Sequence, residues 1–153
     1  MYETMITENE NRIHYCPIGV PQRRFGAYVT GAGREVTNPG EPYPHDYHSS
    51  DYYFTWEKGR KLADWEYQIL YIRSGRGVIE FRRGKTIQIS AGTLIMLHPG
   101  EWHRYRPDEQ TGWDEAYIGI GGDVFRRIVG PPFFTANPTI VSLPPNGWFD
   151  NAL

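Results

Sequence analysis

The stretch Gly92-Thr93-Leu94-Ile95-Met96-Leu97-His98-Pro99-Gly100-Glu101-Trp102-His103 decides the reading of the fold. Thr93–Leu97 is a continuous apolar run of the kind that forms a strand buried on both faces. Ala91-Gly92 turns into it and Pro99-Gly100 turns out of it, toward a strand at Trp102–Tyr105. The same grammar holds on either side. Upstream, Trp65–Ile72 is a strand, Ser74-Gly75-Arg76-Gly77 a turn, Val78–Phe81 a strand, Arg83-Gly84-Lys85 a turn and Thr86–Ile89 a strand. Downstream, a polar loop from Pro107 to Gly112 leads to a last strand, Trp113–Ile120. Short strands at even spacing, joined by glycine turns, predict an antiparallel sandwich or barrel.

Nearer the start, Gly26–Thr30 reads as a strand, 31–50 as a long loop or arm, and Tyr52–Trp56 as a strand before a Glu57-Lys58-Gly59 turn. Residues 1–12 are polar and read as a frayed terminus. Helix signals come late. Asp123 is placed to cap Val124–Val129 with Gly130 as the stop, and Asn146 to start a second helix that the chain end cuts short. The predicted organisation is a flexible arm at 1–24, one domain at 25–143, and the beginning of a truncated linker or dimerisation helix at 144–153.

The chain has 153 residues, one domain's worth. Its net charge of -2, with scattered basic pairs, argues against binding DNA by itself. The single cysteine excludes an internal disulfide and a cysteine-rich zinc site. No signal-peptide core and no run of transmembrane length is present, so the expected location is the cytoplasm. Eleven tyrosines and five tryptophans are many for this length. Such side chains pair an apolar face with a polar tip and recur in ligand pockets.

From Arg60 to Gly121 the sequence resembles the second half of a cupin barrel. More narrowly, it is similar to the amino-terminal sensing and dimerisation domain of AraC-type (arabinose-regulator) transcription regulators. The resemblance is carried by Gly75-Arg76-Gly77-Val78, by Gly92 through His103, and by Trp113-Asp114-Glu115-Ala116-Tyr117. It covers roughly residues 25–143. One departure is His98, where the family's turn has a first proline. The resemblance implies an all-β, antiparallel, cupin-like (jelly-roll) barrel with one or two short C-terminal helices. It also implies a helix-turn-helix DNA-binding part that this chain lacks, a homodimer in the full-length protein, and no membrane partner.

A metal cupin needs histidines on an early strand, and Trp65–Arg73 has none. His45 and His48 would serve only if their arm folded over the barrel mouth, so neither metal nor cofactor is expected. No nucleophile elbow occurs, so no catalytic residue is assigned. Glu115 and His103 are open to acid–base work or to recognition of hydroxyls, and the residues alone do not decide. For recognition, residues two apart in a strand share a face. If 106–114 closes a hairpin, Tyr105 lies opposite Glu115 and His103 opposite Tyr117, giving a patch of two phenols, an acid and an imidazole. Such a patch suits a sugar, whose C–H faces pack on rings while its hydroxyls pair with polar tips.

The resemblance points to Tyr105, Glu115 and Tyr117 as pocket residues and to Arg60, fifteen residues before Gly75, as a further one. Trp56 and Thr30 are weaker candidates. The expectation is an effector-sensing domain, not an enzyme, that binds a small saccharide. A small cupin enzyme (a metal-dependent sugar isomerase or dioxygenase) is the main alternative, and a dimerisation module without ligand is the third.

Overall fold

The computed structural model describes residues 4–6, 11–130 and 139–143. Ten strands and two short helices follow in the order β1 (Thr4–Ile6), β2 (Arg12–Tyr15), α1 (Val20–Phe25), β3 (Tyr28–Thr37), β4 (Arg60–Lys61), β5 (Glu66–Glu80), β6 (Thr86–Ser90), β7 (Thr93–Leu97), β8 (Trp102–Pro107), β9 (Trp113–Gly121), α2 (Asp123–Val129) and β10 (Thr139–Ser142). Every pairing between these strands is antiparallel. One sheet runs β1-β2-β3-β9-β5-β7-β10; β6 and β8 flank the second half of β5, and β4 pairs with β8. The result is a cupin-like roll, and among the described residues no ladder closes it into a complete barrel.

The second sheet exists because β5 does not stop where a turn was expected. Ser74–Gly77 is instead a kink inside one fifteen-residue strand. The register slips by one residue between Ile72 and Ser74. An extra residue in one strand exchanges its inward and outward faces. Before the slip Gln68, Leu70 and Ile72 point into the roll; after it Ile79 does, opposite Tyr105. The first half of β5 therefore pairs with β9 and β7, and the second half with β8 and β6.

Leu70, Ile72, Ile79, Ile95 and Leu97 are fully buried in the main core, with Phe54, Leu62, Ile89 and Trp113. Each such aliphatic side chain contributes about 1.5–3 kcal/mol by leaving water. On the outer face, α2 covers Tyr67 and Met96 through Phe125 and Val129. The burial of Thr93–Leu97 matches its apolar run: β7 lies between β5 and β10.

Three segments differ from expectation. The reading of 31–50 as loop fails over residues 31–37, which continue β3; Gly31 and Gly33 had hidden the strand pattern. Tyr52–Trp56 is not a strand but part of an irregular strap, 38–59, that crosses the roll. Within the segment read as a flexible arm, β2 is paired along β3 and buries Asn11 and Ile13, while α1 forms a single exposed turn and a half. The second late helix, expected from Asn146, lies outside the described residues.

Gly75 holds the kink. Its φ is +82°, and a Cβ there would run into the Gly112 carbonyl and come within 2.7 Å of Trp113 Cα. Gly84 has a similar φ of +74° with nothing within 4 Å. Gly75→Ala should therefore cost ~3 kcal/mol or more, and Gly84→Ala about 1 kcal/mol, in urea unfolding. Equal costs would contradict a role for close backbone approach at the kink.

Candidate functional site

The inward faces of β3, β5, β8 and β9 and the underside of the strap meet in one hollow. Arg60, Gln68, Tyr105, Glu115 and Tyr117 line it from the strands, with Tyr15 and Glu35; Tyr43, His48, Tyr52 and Phe54 line it from the strap. Its free volume is about 20 Å³, room for roughly one water molecule. The strap fills the rest.

Of the four residues expected to share a patch, Tyr105, Glu115 and Tyr117 line this hollow, though not by the expected route, while His103 is buried and reaches it only through Arg60. Residues 106–114 close no hairpin. β8 pairs with the second half of β5, putting Tyr105 opposite Ile79, whereas β9 pairs with its first half, putting Glu115 opposite Ile72 and Tyr117 opposite Leu70. The kink in β5 places these two strands on different sheets, so Tyr105 and Glu115 approach across the roll.

Arg60 organises one wall. Its Nε–H donates to His103 Nε2 (3.1 Å), one terminal nitrogen to the Tyr52 carbonyl (2.8 Å), and the other to Gln68 Oε1 (2.6 Å) and the Tyr105 hydroxyl (2.8 Å). The guanidinium also faces the rings of Phe54, Tyr105 and Tyr52 at 5.2–5.9 Å. His103 is fully buried and must accept at Nε2, so Nδ1 carries its proton and donates to the Glu101 carbonyl (3.0 Å). That carbonyl comes from the Pro-Gly-Glu turn, so the turn sets the imidazole's tautomer. Burial, helped by the Arg60 charge, lowers the His103 pKa to about 3.

The opposite wall holds two carboxylates. Glu35 and Glu115 face each other directly across β3 and β9, 1% and 2% exposed. Glu35 accepts from the Tyr47 hydroxyl (2.9 Å) and lies 2.9 Å from His48 Nε2. Glu115 accepts from the Tyr43 hydroxyl at Oε1 (2.9 Å). Its Oε2, the Tyr117 hydroxyl and the Trp113 indole nitrogen are buried with no partner at full hydrogen-bond distance, the indole N–H acting only weakly on the Glu115 carboxyl. Burial first, and the Glu35 charge second, push the Glu115 pKa well above the carboxylate range. Burial likewise raises the phenols, Tyr105 to about 12 and Tyr43 and Tyr117 further, so they enter neutral chemistry as hydroxyl donors. Gly33 makes room for Tyr117, since a Cβ there would lie 2.6 Å from the phenol.

Two candidates fall elsewhere. Trp56 sits on the outer side of the strap, its ring between the guanidinium groups of Arg104 (4.1 Å) and Arg106 (4.2 Å). Thr30 is buried outside the hollow and its hydroxyl donates to Glu66, which also accepts from Tyr52 (2.7 Å). Glu35 and Tyr43 escape sequence reasoning because their positions have loop composition, and His48 is legible there only as a conditional metal ligand. The available signal was the density of tyrosine and histidine in a segment without apolar periodicity. The strap does fold over the roll, as a metal site on His45 and His48 would require. Among the described residues, however, no three histidine, cysteine or acidic side chains are grouped to hold an ion.

The His103 shift has a sign that can be measured. The folded state binds no proton there until about pH 3, whereas an unfolded histidine takes one near pH 6.5. This contribution to stability is complete above pH 6.5 and is lost as pH falls toward 3. Acidification from pH 7 to 4 should lower the melting temperature of the native protein more than that of His103→Gln, which keeps an acceptor for Arg60 but does not titrate. Parallel losses would show that His103 is not held neutral.

Several solved structures and one family are similar to this chain. Escherichia coli YhaK superposes with a TM-score of 0.52 at 14% identity, over 98% of this chain and 58% of that one. The chain thus spans little more than half of YhaK. The Schizosaccharomyces pombe Cnp3 cupin domain gives a TM-score of 0.44 at 8% identity, over 86% and 96%. Streptomyces PAC13 with uridine gives 0.41 at 15%, over 79% and 75%. No curated protein matches the chain at a significant level. The profile of the AraC-like ligand binding domain matches residues 43–148, well over half of the sequence. With the roll, its buried hollow and this match together, the chain belongs to the AraC-like ligand-binding domain family.

Proposed function

We propose that this domain senses a small saccharide in the hollow between Arg60 and Glu115 and passes its occupancy to a helix-turn-helix DNA-binding domain of a cytoplasmic, homodimeric regulator. The observation that carries the reading is the convergence of Arg60, Tyr105, Glu115 and Tyr117 on one buried space in which Glu115 Oε2 and the Tyr117 hydroxyl lack partners. Unmet polar groups in a buried site are costly, and a ligand that supplies hydroxyls satisfies them. Phe54, Tyr105 and Trp113 offer faces for the sugar's C–H groups.

A saccharide needs far more than the free 20 Å³, so its entry must displace part of the strap. Tyr43 is the group in its way. Ligand binding then couples to strap position, and it shifts that equilibrium only by its differential affinity for the two states. A strap held open or closed presents a different surface to whatever lies beside the roll.

A second reading has one observation behind it. A protonated Glu115 beside Glu35 is what a general acid needs, so a small cupin enzyme remains the competing class. Conversion of a bound sugar, followed by NMR, would separate it from a sensor.

The test is thermal melting against a panel of pentoses and hexoses. A ligand at a hundred times its Kd stabilises by about 2.7 kcal/mol, several degrees for a domain of this size. Tyr117→Phe should leave the ligand-free protein as stable as before or slightly more so, because it removes a buried, unpartnered hydroxyl. The same change should weaken sugar binding about 10-fold. No stabilisation by any sugar, or a Tyr117→Phe protein that loses stability and keeps its ligand response, would overturn the proposal.

A further inference from the structure

The place of Tyr43 says more about the ligand than its size does. Its ring lies in a box of three others: Trp113 at 5.3 Å between centroids and nearly perpendicular, Tyr105 at 6.0 Å and Phe54 at 6.3 Å. At the end of this box its hydroxyl meets Glu115, with Glu35 directly behind on the neighbouring strand. If the phenol is withdrawn, what remains is an aromatic enclosure closed by two carboxylates. Rings present their negative faces to a cation, and a desolvated ammonium is held best where such faces and a carboxylate coincide.

We infer that the effector carries a protonated amine, and that its ammonium group replaces the Tyr43 phenol between Phe54, Tyr105 and Trp113 and pairs with Glu115 and Glu35. The inference deepens the saccharide-sensor reading and rests on it, so the ligand class is an amino sugar. Three further observations support it. Glu115 is 2% exposed and keeps one oxygen without a partner. Glu115 sits directly opposite Glu35, whose charge together with burial favours a proton on Glu115, and an ammonium placed between the two supplies the positive charge in that proton's stead. The hollow's guanidinium is already engaged by His103, Tyr52, Gln68 and Tyr105, so an acidic ligand would have to compete for it while facing both glutamates.

The experiment is calorimetric titration of the whole chain with a panel of hexoses and pentoses, each alongside its amino and N-acetylamino counterpart, at a pH where the free amine is charged. The amino form of the best-bound sugar should bind at least ~10-fold more tightly than the neutral and N-acetylated forms. Glu115→Gln should bring that ratio close to one, because it removes the charge that distinguishes the two forms, whatever it does to the affinity for the neutral sugar. Tyr43→Ala, which empties the box, frees Glu115 Oε1 and keeps both carboxylates in place, should raise affinity for the amino form and supplies the same comparison if Glu115→Gln does not fold. Equal affinity for amino and neutral forms, in both the native protein and Tyr43→Ala, would overturn the ammonium site and leave the sugar sensor standing. Binding of neither form by either protein would overturn both.

Discussion

One strand, Glu66–Glu80, belongs to two sheets, and the single extra residue between Ile72 and Ser74 decides what the interior contains. Without that slip, β5 would keep one face inward along its whole length, and the sheet would run on instead of rolling up. With it, β9 and β8 lie along successive halves of the same strand and face each other across the roll. Tyr105, set by Ile79, and Glu115, set by Ile72, meet there only because the two halves diverge. Gly75 and Gly112 permit the approach, since each has positive φ and a backbone neighbour where a Cβ would be.

The interior so formed is unusual in being polar and deeply buried at once. Its charges are spatially sorted. Arg60 and the neutral His103 hold one wall, and the Glu35–Glu115 pair holds the other. Between them the tyrosines act as neutral donors, because burial keeps them from ionising. A core of this composition gives up hydrophobic stabilisation that aliphatic residues would provide, and it leaves several polar atoms unmet. Leu70, Ile72, Ile79, Ile95 and Leu97, packed beneath, compensate. A fold selected for stability alone would not place two carboxylates face to face, whereas one that recognises a polar ligand has reason to.

The sequence was legible where local chemistry dominates. Gly92 and Pro99-Gly100 bound β7, and the alternation in Trp113–Tyr117 sends Trp113, Glu115 and Tyr117 inward. It misled where long-range pairing overrides the local signal. Ser74-Gly75-Arg76-Gly77 has turn composition, yet ladder bonds to β9 on one side and β8 on the other keep the strand going. The face shared by His103 and Tyr105, and that shared by Glu115 and Tyr117, followed from strand periodicity; the hairpin joining them did not, because periodicity carries no information about which strands pair. Glu35 was invisible for the same reason. Gly31 and Gly33 before it read as loop, and the closeness of Gly33 to Tyr117 and to the Arg12 carbonyl explains why a strand there lacks a side chain. Tyr43 reaches Glu115 across seventy-two positions of sequence, a contact no local pattern encodes.

The account stands on the hollow being where an effector binds. Selective isotope labelling of the tyrosines, followed by NMR titration with the sugars that stabilise the protein, addresses this directly. Resonances of Tyr43, Tyr105 and Tyr117 should shift together with a single saturation curve, while the more exposed Tyr53 on the strap stays in place. Shifts confined to Tyr53, with the three interior tyrosines unmoved at saturation, would contradict it.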